Sequence, residues 1–118
     1  MKTLVLGAST DPYRYANKAI KLLRAHKHEV VAVGKDEGSV ADVPIIHQMP
    51  VNDKIDTLTM YLNPFNQKGY YQQILEMKPR RIIFNPGAEN NELEKLAAKN
   101  GIATEEACTL VLLNTGQY

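Results

Sequence analysis

Short apolar runs recur along this chain with room for about one helix between successive runs. Thr3-Leu4-Val5-Leu6, Val30-Val31-Ala32-Val33 and Arg81-Ile82-Ile83-Phe84 show no alternation of apolar and polar residues. A strand with one face in water alternates with period two, so a strand without alternation must be covered on both faces. Strands of this kind separated by helical segments fit a mainly parallel sheet, because parallel neighbours need long crossover connections. The expected fold class is therefore α/β: a Rossmann-like, mainly parallel sheet flanked by helices on both faces. With 118 residues the chain has the usual size of one domain, expected to span 1–118.

The intervening segments carry the matching signals. Ala16, Ala19, Ile20, Leu22 and Leu23 recur at helical spacing, with Lys18, Lys21 and Arg24 on the opposite side. Pro44-Ile45-Ile46 predicts a short third strand, and Ile55 to Leu62 a further one. Asn63 and Pro64 suit the cap and first turn of a helix carrying Phe65, Tyr70, Ile74 and Leu75, which must end before Pro79. Asn90 or Asn91 caps the next helix, Glu92 and Glu94 favour its positive end, and Gly101 stops it. Ile102-Ala103-Thr104 predicts a last strand, and Thr109 to Leu113 a short closing helix.

Several function classes are excluded or disfavoured. A net charge of +1 gives no general drive toward nucleic acid or a membrane surface. No apolar run approaches the length of a membrane span. The basic and apolar start, Met1 to Gly7, is too short for a signal sequence and is interrupted by Ser9, Thr10 and Asp11, so a cytoplasmic location is expected. One cysteine, Cys108, excludes an internal disulfide and a cysteine-based zinc site; it reads as an ordinary buried thiol. His26 and His28 flank Lys27 at a helix end, where positive charge is favoured, and no third ligand accompanies them, so no metal site is expected. His47 stands alone. Glu89, Glu92, Glu94, Glu105 and Glu106 read as capping or solvated residues, and no catalytic acid, base or nucleophile is assigned.

In doubly wound sheets ligands lie beyond the carboxyl ends of the strands, so the residues just after each strand matter most. After the first strand comes Gly7-Ala8-Ser9-Thr10-Asp11-Pro12-Tyr13-Arg14. Gly7 and Ala8 permit close approach to the backbone, and Ser9 and Thr10 offer hydroxyls. The following helix points its N–H groups at the same place, and Arg14 adds a planar cation suited to phosphate. This is an anion cradle. It is not the dinucleotide fingerprint, because Ser9 and Pro12 stand where its second and third glycines would be, nor is it a P-loop. After the second strand Gly34-Lys35 precedes Asp36, whereas a nicotinamide dinucleotide site usually presents an acidic residue early. Two later strands end in Asn-Pro, at Asn63-Pro64 and Asn85-Pro86. The first pair reads as a helix cap, and Gly87 after the second would face the cleft.

These residues resemble the CoA-binding domain family, which includes the CoA-binding half of the succinyl-CoA synthetase alpha subunit and small free-standing proteins. Leu6-Gly7-Ala8-Ser9-x-x-Pro12-x-Arg14 is similar to the family's first loop, and Gly87-Ala88-Glu89-Asn90 to its Gly-Val-x-Asn-Glu segment; Cys108 falls where many members have a cysteine. The resemblance implies a coenzyme A or acyl-CoA ligand with its phosphates on the first loop. Gly7, Ala8, Ser9, Thr10 and Arg14 are its candidate contacts, joined by Lys35, Asn63, Asn85, Pro86 and Gly87. Lys35 suits an additional phosphate, as in CoA or NADP. The chain departs from the family at Ala16, where members often carry serine, at Gly34-Lys35-Asp36, which replaces Asn/Ser-Pro-Lys, and at Ala107-Cys108-Thr109, which replaces Arg-Cys-Pro. The synthetase's catalytic histidine lies in a second domain that this sequence does not contain. The resemblance thus implies a non-catalytic binder, working alone, with a protein partner or as a homo-oligomer. Two alternatives stand beside it: an NAD(P)-dependent enzyme or redox-sensing module, and an interaction protein with a vestigial pocket.

Overall fold

A computed structural model describes all 118 residues. The chain runs β1 (Lys2–Leu6), α1 (Tyr15–Ala25), β2 (Glu29–Val33), β3 (Ser39–Val40), β4 (Val43–Ile46), β5 (Thr57–Met60), α2 (Pro64–Gln67), a 3₁₀ turn (Lys68–Tyr70), α3 (Tyr71–Met77), β6 (Arg81–Phe84), α4 (Asn91–Lys99), β7 (Ala103–Glu106) and α5 (Thr109–Asn114). The seven strands form one sheet in the order β3-β4-β2-β1-β5-β6-β7. All pairings are parallel except β3 with β4. The expected α/β class and mainly parallel sheet are what the protein adopts.

The unalternating runs are covered as their composition requires. On β1, Leu4 and Leu6 join the larger core with Leu58, Met60, Ile82 and Phe84 of the neighbouring strands; Ile74 and Met77 of α3 and Leu93 and Ala97 of α4 cover it. Val5 points to the other face with Ala32, against Ile20 and Leu23 of α1 and Leu113 of α5. The strand order reverses at β1. The chain moves from β1 outward through β2 to β4, then returns to β5 on the opposite side of β1. That reversal leaves a crevice between the loops that follow β1 and β5, where ligands collect in sheets of this kind.

Three local expectations are corrected, and a fourth, the short strand at Pro44-Ile45-Ile46, is met one place later in the strand order. The strand expected over Ile55–Leu62 is confined to Thr57–Met60. Pro44-Ile45-Ile46 belongs to β4, which begins at Val43 and pairs with a two-residue strand, β3, too short to leave a periodic trace. The single helix expected after Asn63 is broken by the 3₁₀ turn around Gly69, a residue that costs helix stability. It ends where Lys78 turns left-handed at φ +50°, before Pro79. The last strand lies later than expected and includes Glu105 and Glu106, so Glu105 is a strand residue paired with Arg81 at 2.9 Å. Asn90 caps α4 as expected, accepting from the backbone of Glu92 and Leu93.

Candidate functional site

The chain leaves β1 by pressing its backbone against two neighbouring strands. Gly7 has φ +97°, a conformation that side chains resist, and a Cβ there would stand 3.2 Å from the Leu62 backbone nitrogen. The Gly7 and Ala8 N–H groups both donate to the Val33 carbonyl at 2.9 Å. On the facing strand end, a Cβ on Gly34 would lie only 2.3 Å from the Ala8 carbonyl oxygen. Two glycines therefore let the first loop lie flat across the ends of β2 and β5. Sequence reading found Gly7 but treated Gly34 only as a strand stop. Its signal was a glycine immediately after a buried strand.

The crevice at this point encloses about 440 Å³. Leu6 and Val33 form part of its lining with Gly7, Ala8, Ser9 and Arg14 of the first loop and Gly34, Lys35 and Asp36 after β2. Tyr61, Leu62, Asn63, Asn66 and Tyr70 complete it. Of the residues expected from sequence, the crevice gathers Gly7, Ala8, Ser9, Arg14, Lys35 and Asn63; it does not include Thr10, Asn85, Pro86 or Gly87. A larger hollow of about 610 Å³ lies beyond β4, along Ile45 to Pro50. It is a more open feature built from one continuous segment, with His47 as its one ionisable side chain.

Arg14 is the N-cap residue of α1, and no side chain caps that helix, so its first N–H groups are left to other acceptors. Neither Arg14 nor Lys35 forms an ion pair within the chain, whereas Arg24, Arg80 and Arg81 all do. The crevice therefore presents two cations without internal partners. Asn63 spends its side-chain oxygen on the Asn66 N–H, capping α2. The Asn66 side chain, unforeseen from sequence, enters the lining one helical turn later.

Two hydroxyls have a partner that sequence did not foresee. One oxygen of Asp36 accepts from the Thr10 N–H at 2.8 Å, the Thr10 hydroxyl at 3.0 Å and the Ser9 hydroxyl at 3.2 Å. These hydrogen bonds, the Thr10 backbone bond foremost, hold the Asp36 carboxyl below its usual range. Ser9 also accepts from the Asp11 N–H, and the buried Asn17 amide donates to the Ser9 carbonyl, so the loop is fixed from both sides.

Asn85 is a structural staple. Its side chain is buried, donating to the Thr59 hydroxyl at 2.7 Å and the Met60 carbonyl at 2.9 Å while accepting from the Thr109 N–H at 2.8 Å. Pro86 and Gly87 are exposed beyond it. Cys108, expected to be buried, is half-buried at the N-terminus of α5. The Tyr61 hydroxyl is enclosed near Thr59 and Thr109 without hydrogen-bond geometry to either, and burial pushes its phenol up to about 12. Tyr61 is therefore neutral at ordinary pH and serves as apolar wall. Altogether the crevice offers close backbone approach, two free cations, an amide and aromatic wall, which suit a phosphate-bearing molecule with an apolar portion.

Comparisons with known proteins agree with this geometry. The sequence model of the CoA binding domain matches residues 1–114. No curated protein gives a significant match. A crystal structure of an uncharacterised protein is 47% identical with a TM-score of 0.95, over 99% of this chain and 97% of that one. A protein from Thermus thermophilus shares the fold at 21% identity and a TM-score of 0.87, over 99% of this chain and 90% of that one. The dinucleotide-forming acetyl-coenzyme A synthetase 1 of Ca. Korarchaeum cryptofilum also shares it, at 18% identity and a TM-score of 0.69. There the match spans 87% of this chain and 25% of the synthetase. With the family pattern running through all but the last four residues of a doubly wound sheet, the chain belongs to the CoA-binding domain family.

Proposed function

We propose that this protein is a cytoplasmic binder of coenzyme A or acyl-CoA, one domain over 1–118, holding the ligand's phosphates on the first loop and catalysing no reaction by itself. The observation that carries the reading is the crevice at the β1–β5 reversal, where Arg14 and Lys35 lack internal partners beside the uncapped start of α1. Gly7, Ala8, Ser9 and Arg14 take the pyrophosphate in this reading. Lys35 takes the additional phosphate near solvent, and Asn63 and Asn66 face the rest of the ligand. One observation favours a nicotinamide dinucleotide instead: Asp36 does stand beyond β2, as a ribose acceptor would. Against it, that carboxylate is already bonded to Ser9 and Thr10.

The deciding experiment is native mass spectrometry of the purified protein, followed by titration with CoA, acetyl-CoA, NAD and NADP. Measurable CoA binding without NAD binding is expected. Comparable NAD affinity would favour the dinucleotide reading, and no binding at all would leave an interaction protein with a vestigial pocket.

Arg14→Ala should weaken CoA binding about ten- to a hundredfold, the worth of a charge-assisted hydrogen bond of about 1.5–3 kcal/mol. Its melting temperature should hardly change, since Arg14 is exposed and bonded to nothing else through its side chain. Lys35→Ala should cost about fivefold or less, as exposed ion pairs do. It should also narrow the difference between CoA and dephospho-CoA, which Arg14→Ala should leave intact. Calorimetric titration of both variants with both ligands checks this. Unchanged CoA affinity in Arg14→Ala would remove that residue from the cradle.

A further inference from the structure

The first loop's donors already hold an anion, and that anion belongs to the chain. Three hydrogen-bond donors, the Thr10 N–H, the Thr10 hydroxyl and the Ser9 hydroxyl, converge on a single oxygen of Asp36 at 2.8, 3.0 and 3.2 Å. Such convergence is how proteins bind one oxygen of a phosphate, and a carboxylate oxygen satisfies the same donors. The contact bridges 26 positions of sequence, from the loop after β1 to the loop after β2. The second loop is held in place by its own contacts: His47 reaches the Asp36 carbonyl oxygen at 3.3 Å and the Glu37 carboxylate at 3.3 Å. Asp36 also lines the crevice itself, so its charge stands beside any phosphate that enters.

We infer that Asp36 is an internal competitor for the ligand's phosphate, occupying the Ser9 and Thr10 donors until a ligand displaces it. The inference rests on the phosphate-binding reading of the crevice and adds to it the residue that sets affinity. A ligand gains the three donors only by breaking three existing bonds, so Ser9 and Thr10 contribute little net affinity while Asp36 is present. Its negative charge opposes every phosphate in the crevice. Arg14 and Lys35, neither held in an ion pair, supply the attraction, and the Asp36 charge near Arg14 offsets part of it.

The test is calorimetric titration of the wild type, Asp36→Ala and Asp36→Asn with CoA and with inorganic pyrophosphate, melting temperatures being recorded for each. Asp36→Ala should bind both anions about tenfold more tightly than the wild type, the worth of one charge-assisted hydrogen bond released to the ligand. Asp36→Asn, which loses the charge but keeps an acceptor, should fall between them. Amide NMR supplies a second readout. On saturating wild type with CoA, the Thr10 signal should move as its acceptor changes, and an unmoved Thr10 signal overturns the exchange even if a variant fails to fold. Equal or weaker binding by Asp36→Ala, with CoA still binding the wild type, overturns the competitor and leaves the CoA reading standing. Tighter pyrophosphate binding by the variant, with CoA bound by neither form, sustains the competitor and overturns the CoA reading. If no form binds either anion, both fall.

Discussion

Alanine at position 34 is expected to lower stability by about 3 kcal/mol, the upper part of the range for an overpacked site. For a chain of this size that corresponds to a fall of roughly 12 °C in melting temperature. The new Cβ would stand 2.3 Å from the Ala8 carbonyl oxygen, 3.1 Å from the Ala8 carbonyl carbon and 3.2 Å from its nitrogen. All three are backbone atoms, so no rotamer change relieves the contact. The loop must lift from β2, and lifting it breaks the bonds from the Gly7 and Ala8 N–H groups to Val33. Ligand binding should fall with it by about a hundredfold, because misplacing the cradle disrupts Arg14 and the close backbone approach at Gly7 and Ala8 together. Thermal unfolding and calorimetry on Gly34→Ala check both parts. A variant that melts like the wild type and binds CoA equally well would show that the loop can leave β2 at little cost.

Asn85→Ala should be about as damaging to stability and should spare the ligand. The substitution removes the acceptor for the Thr109 N–H and the donor to the Met60 carbonyl, both in the interior. Thr59 keeps the Thr109 hydroxyl at 2.8 Å and the Met60 carbonyl keeps the backbone N–H of residue 85 at 3.3 Å, so one orphaned group, the Thr109 N–H, remains together with a small cavity. An unsatisfied buried group costs about 1–3 kcal/mol, which with the cavity puts the loss near ~3 kcal/mol and the melting temperature about 12 °C lower. Asn85 does not line the crevice, so CoA affinity measured well below the transition should stay within about twofold. Affinity lost with stability intact would instead place Asn85 against the ligand, as the resemblance in sequence implies.

The contrast between Asn85 and Asn63 shows where sequence stops informing. Both follow an apolar strand and both precede proline, so local reading cannot separate them. Asn63 is exposed and caps a helix; Asn85 directly follows β6 under the start of α5 and becomes buried. The difference comes from a helix that arrives 24 residues later. Asp36 was obscure for the same reason, its three donors lying in another loop. By contrast, β1, β2 and β6 were readable because a two-sided covering leaves its mark in every residue of the run. The first loop was readable because it gathers small residues and an arginine within eight positions. The helix after Asn63 was only half legible: its apolar spacing survives the 3₁₀ turn at Lys68–Tyr70, so periodicity gave no sign of the break.

The two walls of the crevice are fastened by different means. On the β5 side the fully buried Gln67 amide donates to the Leu62 and Ala88 carbonyls at 2.8 Å each, and its oxygen accepts from Asn90 at 2.9 Å. On the β2 side the outer fastening is the half-exposed Asp36 carboxylate, bonded to Ser9 and Thr10 near solvent. Opening the first wall would strand buried polar groups, while opening the second merely exchanges protein donors for solvent. The Asn66 and Gln67 amide protons, both bonded to Asn63, should therefore exchange with deuterium slowly, and that of Thr10 quickly. A ligand would enter and depart by parting the Thr10–Asp36 contact past a stationary β5 wall, while the base of the first loop stays bonded to Val33. Its residence time would then be governed by the loop that Asp36 closes, not by the body of the sheet.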